Sequence, residues 1–408
     1  MLLPSFKSYV RRFPWIVLLT SFFYLPSAEG QKGTPGVTPD SIKIGSCNAL
    51  SGPASFLGLQ MVIGAKAYFS VVNAEGGVNG RKLELETKDD GYEANNAAAC
   101  WESLEKADIL AAAFFVGTPT ALKYIPLADA SHTPLIGLFT GAEALIDPVH
   151  RTIFNVRASY FDETREQVDG LWDQLGVRKI AVLYQNDGFG TAVLEGVNRA
   201  LARHHSAPVA LGTFEHNTLA VEQGIKQVRG ADPEAVILAG PYAPVNAILK
   251  QAHAAGWHPR FLTVSFVGTE GLLRIGAGDA EGMVITQVVP PYDRTDLPTV
   301  KRYREALVKY MGNTEPSFVS LEGFVDAMVL VDGLRGAGRD LTREKLLSAL
   351  VGMDRKDLGL GPNLRLSFSP TNHKGLDSVY VTVVRSGRAV MVNDWSQLLK
   401  DSGKRYGN

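Results

Sequence analysis

Two threonines flank a proline directly after a glycine in Gly117-Thr118-Pro119-Thr120, and the apolar run Ile109-Leu110-Ala111-Ala112-Ala113-Phe114-Phe115-Val116 leads into them. Such a run, closed by Gly and Pro, reads as a strand buried on both faces. Thr118 is expected at the N-cap of the following helix, with Pro119 at its first helical position. Hydroxyls and free backbone N–H groups at such a place can hold an anion. A plain strand-to-helix cap with no ligand has the same pattern, so the other strand ends must decide. They carry Ser51, Thr140-Gly141, Asp187 with Phe189, Tyr242, and Ser265-Phe266. In a doubly wound sheet these ends share one edge, where ligands bind. Turn chemistry explains any one of them; together they argue for a cleft lined by hydroxyls and rings.

Reactive chemistry has no comparable signal. Gly45, Gly52 and Gly58 have the wrong spacing for a dinucleotide fingerprint, and Gly80-Arg81-Lys82 lacks the loop and hydroxyl of a phosphate-binding loop. There is no G-x-S-x-G elbow, no H-E-x-x-H pair and no C-x-x-C. No cofactor and no metal site is expected. Asp89-Asp90 ends a strand and is read as capping the helix that follows. His204-His205 ends a helix and reads as solvated. Asp187 is read equally as a turn residue bonding its own backbone. Cys47 falls in a predicted strand and Cys100 in a predicted helix. Two buried free thiols are favoured over a bridge, which would close a long loop and add about 4 kcal/mol in the chain-entropy model.

These residues need elements to place them. Strands are predicted at 41–49, 82–87, 109–116 and 134–138, alternating with helices that follow residue 53 and span 93–106 and 120–130. Met61, Ala65, Tyr68 and Val72 share one face of the first helix. The rhythm restarts near Ile153: a helix over 160–175, strands at 179–184, 207–213, 235–239, 260–264 and 283–289, and helices at 191–204, 219–228 and 243–255. Helices at 298–311, 317–335 and 341–350 follow. The tail carries strands near 364–368, 379–385 and 388–393, the last two paired across Ser386-Gly387. Two βα series, then helices, then a small β tail imply two doubly wound α/β units. No short-period repeat is visible.

The length of 408 residues suits two domains, and a formal net charge of −1 without a basic block gives no sign of nucleic-acid binding. Lys7, Arg11 and Arg12 precede an apolar segment at 13–25, and Ser27, Ala28 and Gly30 follow. That is the build of a secretory signal over residues 1–30, too short in its apolar part for a spanning helix. Cleavage is expected after Ala28 or Gly30. No cysteine stands at that point, so no lipid anchor is expected.

Laid out this way, the chain resembles the extracytoplasmic solute-binding proteins of ABC importers, in particular the branched-chain amino-acid (leucine/isoleucine/valine) binding family. The resemblance spans about 41–392. It rests on Ile42-Lys43-Ile44-Gly45 with Leu50-Ser51-Gly52-Pro53, on Val72-Asn73-Ala74-Glu75-Gly76-Gly77-Val78-Asn79-Gly80, on Asp89-Asp90, on Gly188-Phe189-Gly190 and on Ala280-Glu281-Gly282-Met283. A subgroup pattern is visible in Gly117-Thr118-Pro119, Phe139-Thr140-Gly141-Ala142-Glu143, Asn155-Val156-Arg157-Ala158-Ser159-Tyr160 and Ser265-Phe266-Val267-Gly268.

The resemblance implies a type I periplasmic binding protein: two Rossmann-like lobes, 40–157 with 288–362 and 158–287 with 363–408, joined by crossings near Arg157, Val288 and Arg365. It implies a monomer in the periplasm that binds a small amino acid or other carboxylate and docks on a membrane permease, without enzymatic activity. A sensor of the same fold and a secreted α/β enzyme are the competing readings. Gly117, Thr118 and Thr120 correspond to the family's carboxylate grip, and Phe139, Thr140 and Gly141 to its ammonium loop. Phe56 or Leu57 would form a pocket wall, and Phe189 and Tyr242 would cover the ligand. The family's ammonium-pairing acid falls at Ser265. Either Asp187 or Glu163 then takes that role, or the ligand is not an α-amino acid. Arg157 and Tyr160 are read either as facing the cleft or as hinge structure, with Arg157 on a neighbouring carboxylate and Tyr160 starting a helix.

Overall fold

The computed structural model describes residues 1–5, 7, 33–362 and 364–399. The predicted signal segment and cleavage point lie almost wholly outside them. From Thr34 onward the chain forms one unit built on two sheets.

The first sheet is all parallel, in the order β2-β1-β3-β4-β5. Its strands are β1 (Ser41–Asn48), β2 (Lys82–Asp89), β3 (Ala111–Ala113), β4 (Leu135–Ile136) and β5 (Ile153–Phe154). Helices α1 (Ser55–Ala74), α2 (Ala97–Lys106) and α3 (Thr118–Ser131) connect them. The predicted strand at 109–116 keeps only three residues of regular ladder. Phe114 turns to φ 66 at its end, a conformation that breaks strand pairing, and Val116 regains contact with the sheet by a single bridge to Phe139. The predicted helix 160–175 is α4 (Tyr160–Asp169) followed by a π-helical turn, Gly170–Gln174.

The second sheet runs β14-β13-β10-β9-β8-β6-β7. It contains β6 (Ile180–Gln185), β7 (Leu211–Phe214), β8 (Ala235–Ala239), β9 (Arg260–Thr263) and β10 (Val284–Gln287), with helices α5 (Gly188–Ala202), α6 (Glu222–Arg229), α7 (Tyr242–Ala254) and α8 (Thr269–Gly276). After β10 come α9 (Pro298–Tyr310), α10 (Phe318–Ala337) and α11 (Arg343–Val351). A two-stranded ribbon of β11 (Lys356–Asp357) and β12 (Arg365–Leu366) follows, and then β13 (Tyr380–Arg385) and β14 (Arg388–Met391) return to the second sheet. There β13 pairs antiparallel with both β10 and β14.

Helix α1 would pass for a membrane span on composition alone. Instead its predicted apolar face is core: Met61, Ala65, Tyr68 and Val72 are at most 2% exposed. It lies directly on α10. A Cβ on Gly64 would stand 1.9 Å from the Ser320 carbonyl oxygen, so the two backbones meet where no side chain fits. Tyr68 packs edge-on against Phe324 beside that contact.

Three sequence expectations are corrected here. Cys47 and Cys100 are joined in a disulfide, not left as free thiols: the inner face of β1 lies against α2 and brings the two side chains together. Asp89 and Asp90 do not cap a helix. Asp89 Oδ1 accepts from the amides of Leu50 and Gly91, and Asp90 takes the Tyr92 amide and the Tyr124 hydroxyl. Burial raises the Asp90 carboxyl to about 6. His204 is half-buried rather than solvated, stacked on Trp172 and 3.2 Å from an Asp169 oxygen.

Candidate functional site

Gly117, at φ 102, caps α3 in place of the expected Thr118. Thr118 is thus the first helical residue and Pro119 the second. The shift has a physical cause. The ring of Tyr92 packs so close that a Cβ on residue 117 would stand 2.2 Å from its Cε2 atom, and the left-handed turn there favours glycine. Freed from capping, the Thr118 hydroxyl meets that of Thr140 at 2.6 Å, both buried. Thr140 follows β4 and is held by Asn155, whose amide nitrogen donates to the Thr140 carbonyl at 2.7 Å. Thr120 turns away: its hydroxyl donates to Val116 O and Gly117 O on its own turn.

Gly141 continues the loop, and its carbonyl accepts the Tyr160 amide at 2.7 Å. Ser159 caps α4 in a capping box with Asp162, which fixes Tyr160 at the helix start. The Tyr160 phenol is wholly buried beside Thr140, yet its oxygen has no well-formed hydrogen bond. Burial pushes its pKa up, so it stays protonated and keeps a proton to donate.

Rings close over this spot from both sheets. Phe139, from the loop after β4, lies 5.4 Å from Phe266, which follows β9. Phe189, from the start of α5, is 4.5 Å from Phe266 and 5.3 Å from Tyr160. Tyr92, after β2, reaches Phe266 at 5.8 Å and lies tilted against His216 at 4.7 Å. Loops at the carboxyl ends of the two sheets thus meet face to face in a cage of five rings. Aromatic pairs at these distances add attraction beyond the area they bury.

Arg157 underlies the cage, its guanidinium carbon 5.3 Å from the Phe139 ring centre and 5.7 Å from that of Tyr160. Its Nη2 donates to Glu163 at 2.8 Å and also to Ser265 Oγ, and its Nη1 donates to Glu322 at 3.1 Å. Glu163 further accepts the Ser265 amide and hydroxyl and the Thr286 hydroxyl. Burial works against the Arg157 charge but is outweighed by Glu322 and Glu163, so its pKa rises. Of the two readings of Arg157, pairing with a neighbouring carboxylate is the one observed. The same contacts occupy Glu163.

Asp187 is the N-cap of α5, accepting the amides of Phe189 and Gly190 through Oδ1. Its Oδ2 meets His216 Nδ1 at 2.6 Å and Gln185 Nε2. Burial would lower the His216 pKa, but the Asp187 carboxylate outweighs it and raises it. Neither acid proposed for an ammonium is therefore open to one.

The remaining predicted residues lie apart. Ser51 is exposed beside Asp89. Phe56 and Tyr242 form their own edge-on pair at 5.8 Å, with the Tyr242 hydroxyl accepting the Phe56 amide at 3.3 Å. They bridge the two halves without a ring contact to the cage. Sequence reasoning missed Tyr92, Gln185, His216 and Glu322. Tyr92 carried a signal, since it stands at a strand end like the others, but attention to the adjacent acids as helix caps hid it. Two surface pockets, of about 300 Å³ beside His253 and Phe261 and about 420 Å³ beside Arg151 and His373, contain none of these residues.

This arrangement, two α/β halves whose sheets meet at their carboxyl edges around a buried polar and aromatic centre, defines a solute-binding protein of the type I periplasmic class. Residues 41–389 match the family model described as "Periplasmic binding protein", and the chain belongs to that family. A solved structure, "a possible leucine/isoleucine/valine-binding protein from Rhodopirellula baltica SH 1", superposes with TM-score 0.84 at 35% identity, covering 89% of this chain and 100% of that one. The Leu/Ile/Val-binding protein homolog 7 of Brucella abortus (strain 2308) is 23% identical over 369 residues, 86% of this chain and 91% of its own. A branched chain amino acid ABC transporter structure from Thermus thermophilus with bound valine has the same fold, TM-score 0.78 at 23% identity, covering 91% and 100%. The family and its relatives are binding proteins, and this chain is one of them rather than an enzyme.

Proposed function

We propose that the protein is the periplasmic substrate-binding component of an ABC importer. It captures a small carboxylated solute between its two sheets, closes about a hinge and presents the solute to a membrane permease, acting as a monomer without cofactor. The lobes proposed are 40–157 with 288–362 and 158–287 with 363–408. The observation that carries this reading is the Thr118–Thr140 hydroxyl pair, 2.6 Å apart at the start of α3, under rings from the opposite sheet. Backbone N–H groups at a helix start favour an anion there. Contacts from both halves would be made only in the closed state, so a ligand shifts the population toward it.

Calorimetric titration of the parent and a Thr118→Val variant with a panel of amino acids, amides and aromatic or aliphatic carboxylates tests the reading. The expected result is binding by the parent and a loss of about tenfold in affinity in the variant, from one hydrogen bond to a charged group. Equal affinity in the two proteins would remove Thr118 as the anchor.

A further inference from the structure

We infer that the cage selects an apolar carboxylate without an α-ammonium group and rejects the amino acid built on the same skeleton. This rests on the ligand lying at the Thr118–Thr140 site. A buried ammonium needs oxygen acceptors, best of all a carboxylate, or it does not leave water. The carboxylates bordering the rings already have donors on both oxygens. Glu163 Oε1 takes Arg157 and the Ser265 hydroxyl, and its Oε2 takes the Ser265 amide and Thr286. Asp187 takes two amides on Oδ1, and His216 and Gln185 on Oδ2. Asp90 takes the Tyr92 amide on Oδ1 and the Tyr124 hydroxyl on Oδ2.

Two acids on α10 lie behind the guanidinium. Glu322 shares it through Nη1. Asp326 lies one turn further along, against Gly137, with an oxygen that has no partner. Burial and the neighbouring Glu322 raise its pKa well above the usual value, which disfavours its charged form.

What the cage offers instead are hydrogen-bond donors. The Tyr160 hydroxyl is buried without a well-formed partner. The two threonine hydroxyls bond each other and lie beside the Tyr160 oxygen, so the three form one hydroxyl cluster. Arg157, paired with Glu163 and Glu322, is closed to the ligand as those acids are. Donors and apolar walls fit a carboxylate on a hydrocarbon body.

The test uses matched pairs on the purified protein: 4-methylpentanoate against leucine, and 3-phenylpropanoate against phenylalanine, by calorimetry and melting temperature. At least one acid is expected to bind about tenfold or more tighter than its amino acid, and Tyr160→Phe to weaken that acid by about tenfold. Amino acids binding as tightly as the acids would overturn the inference, as would no binding by either acid. In the first case, Glu322→Gln abolishing amino-acid binding alone would identify Glu322 as the ammonium partner. If Thr118→Val leaves the bound member's affinity unchanged, the location of the site is what fails.

Discussion

Arg157 is fully buried and answers to acids from two different parts of the chain, Glu163 on α4 and Glu322 on α10. A buried ion pair is weak evidence of net stabilisation, but removing one partner leaves an uncompensated charge. Glu163→Gln is expected to cost about 3 kcal/mol in urea unfolding at neutral pH, because Arg157 keeps only Glu322 and Ser265 Oγ loses a charged acceptor. At this scale the sequence was informative about residue type and less so about direction. Thr118, Thr140, Phe189 and Phe266 come together as their places at strand ends suggested. Thr120, two residues from Thr118, does not, because two helical steps turn its hydroxyl back to the Val116 and Gly117 carbonyls. Such orientation depends on where a helix begins, and here Tyr92, distant in sequence, forces that beginning to Gly117.

Among the elements, β1 and α2 are tied by the Cys47–Cys100 bridge, which closes a loop with a sequence separation of 53. In the chain-entropy model such a loop contributes about 4 kcal/mol. The double variant Cys47→Ala/Cys100→Ala should lower the unfolding free energy by up to that amount, and a reductant should lower the parent's melting temperature without changing the variant's. Sequence periodicity found most helices and strands of the two βα series, because buried parallel strands and one-sided helices leave strong patterns, but not the two-residue β5 or the short α8. It could not pair the cysteines, since a strand and a helix in sequence do not reveal how far apart their side chains stand. Nor could it foresee how short β3 is, since an apolar run looks the same whether its last residues extend a ladder or fold over it.

For the molecule as a whole, the contact between its halves carries a titratable group outside the cage. Glu270, at the start of α8, accepts the Phe318 amide at the start of α10, at 3.2 Å. Burial raises its carboxyl to about 7 from an ordinary 4.5. An acid whose pKa is raised on folding holds a proton that the unfolded chain has released, so stability is fully present below about pH 4.5 and is lost as pH rises through 7. The loss amounts to about 3 kcal/mol for a shift of this size. Glu270→Gln keeps an acceptor for the amide and removes the titration. Urea midpoints measured from pH 4.5 to 7.5 should therefore show the parent falling relative to the variant, whereas parallel curves would show that Glu270 ionises freely. The two-sheet architecture itself was readable from the order of elements, in which a β tail follows three helices.

That tail has a kinetic consequence. Because β13 sits between β10 and β14, the second sheet cannot be completed until nearly the last residues of the chain are available. The first half is equally unfinished until α10 arrives to cover α1, more than 240 residues later, as Gly64 against Ser320 marks. Closure over such separations is slow. A nascent chain would thus spend most of its synthesis without a finished half, which lengthens the interval in which it can still be handled as an open polymer before it locks.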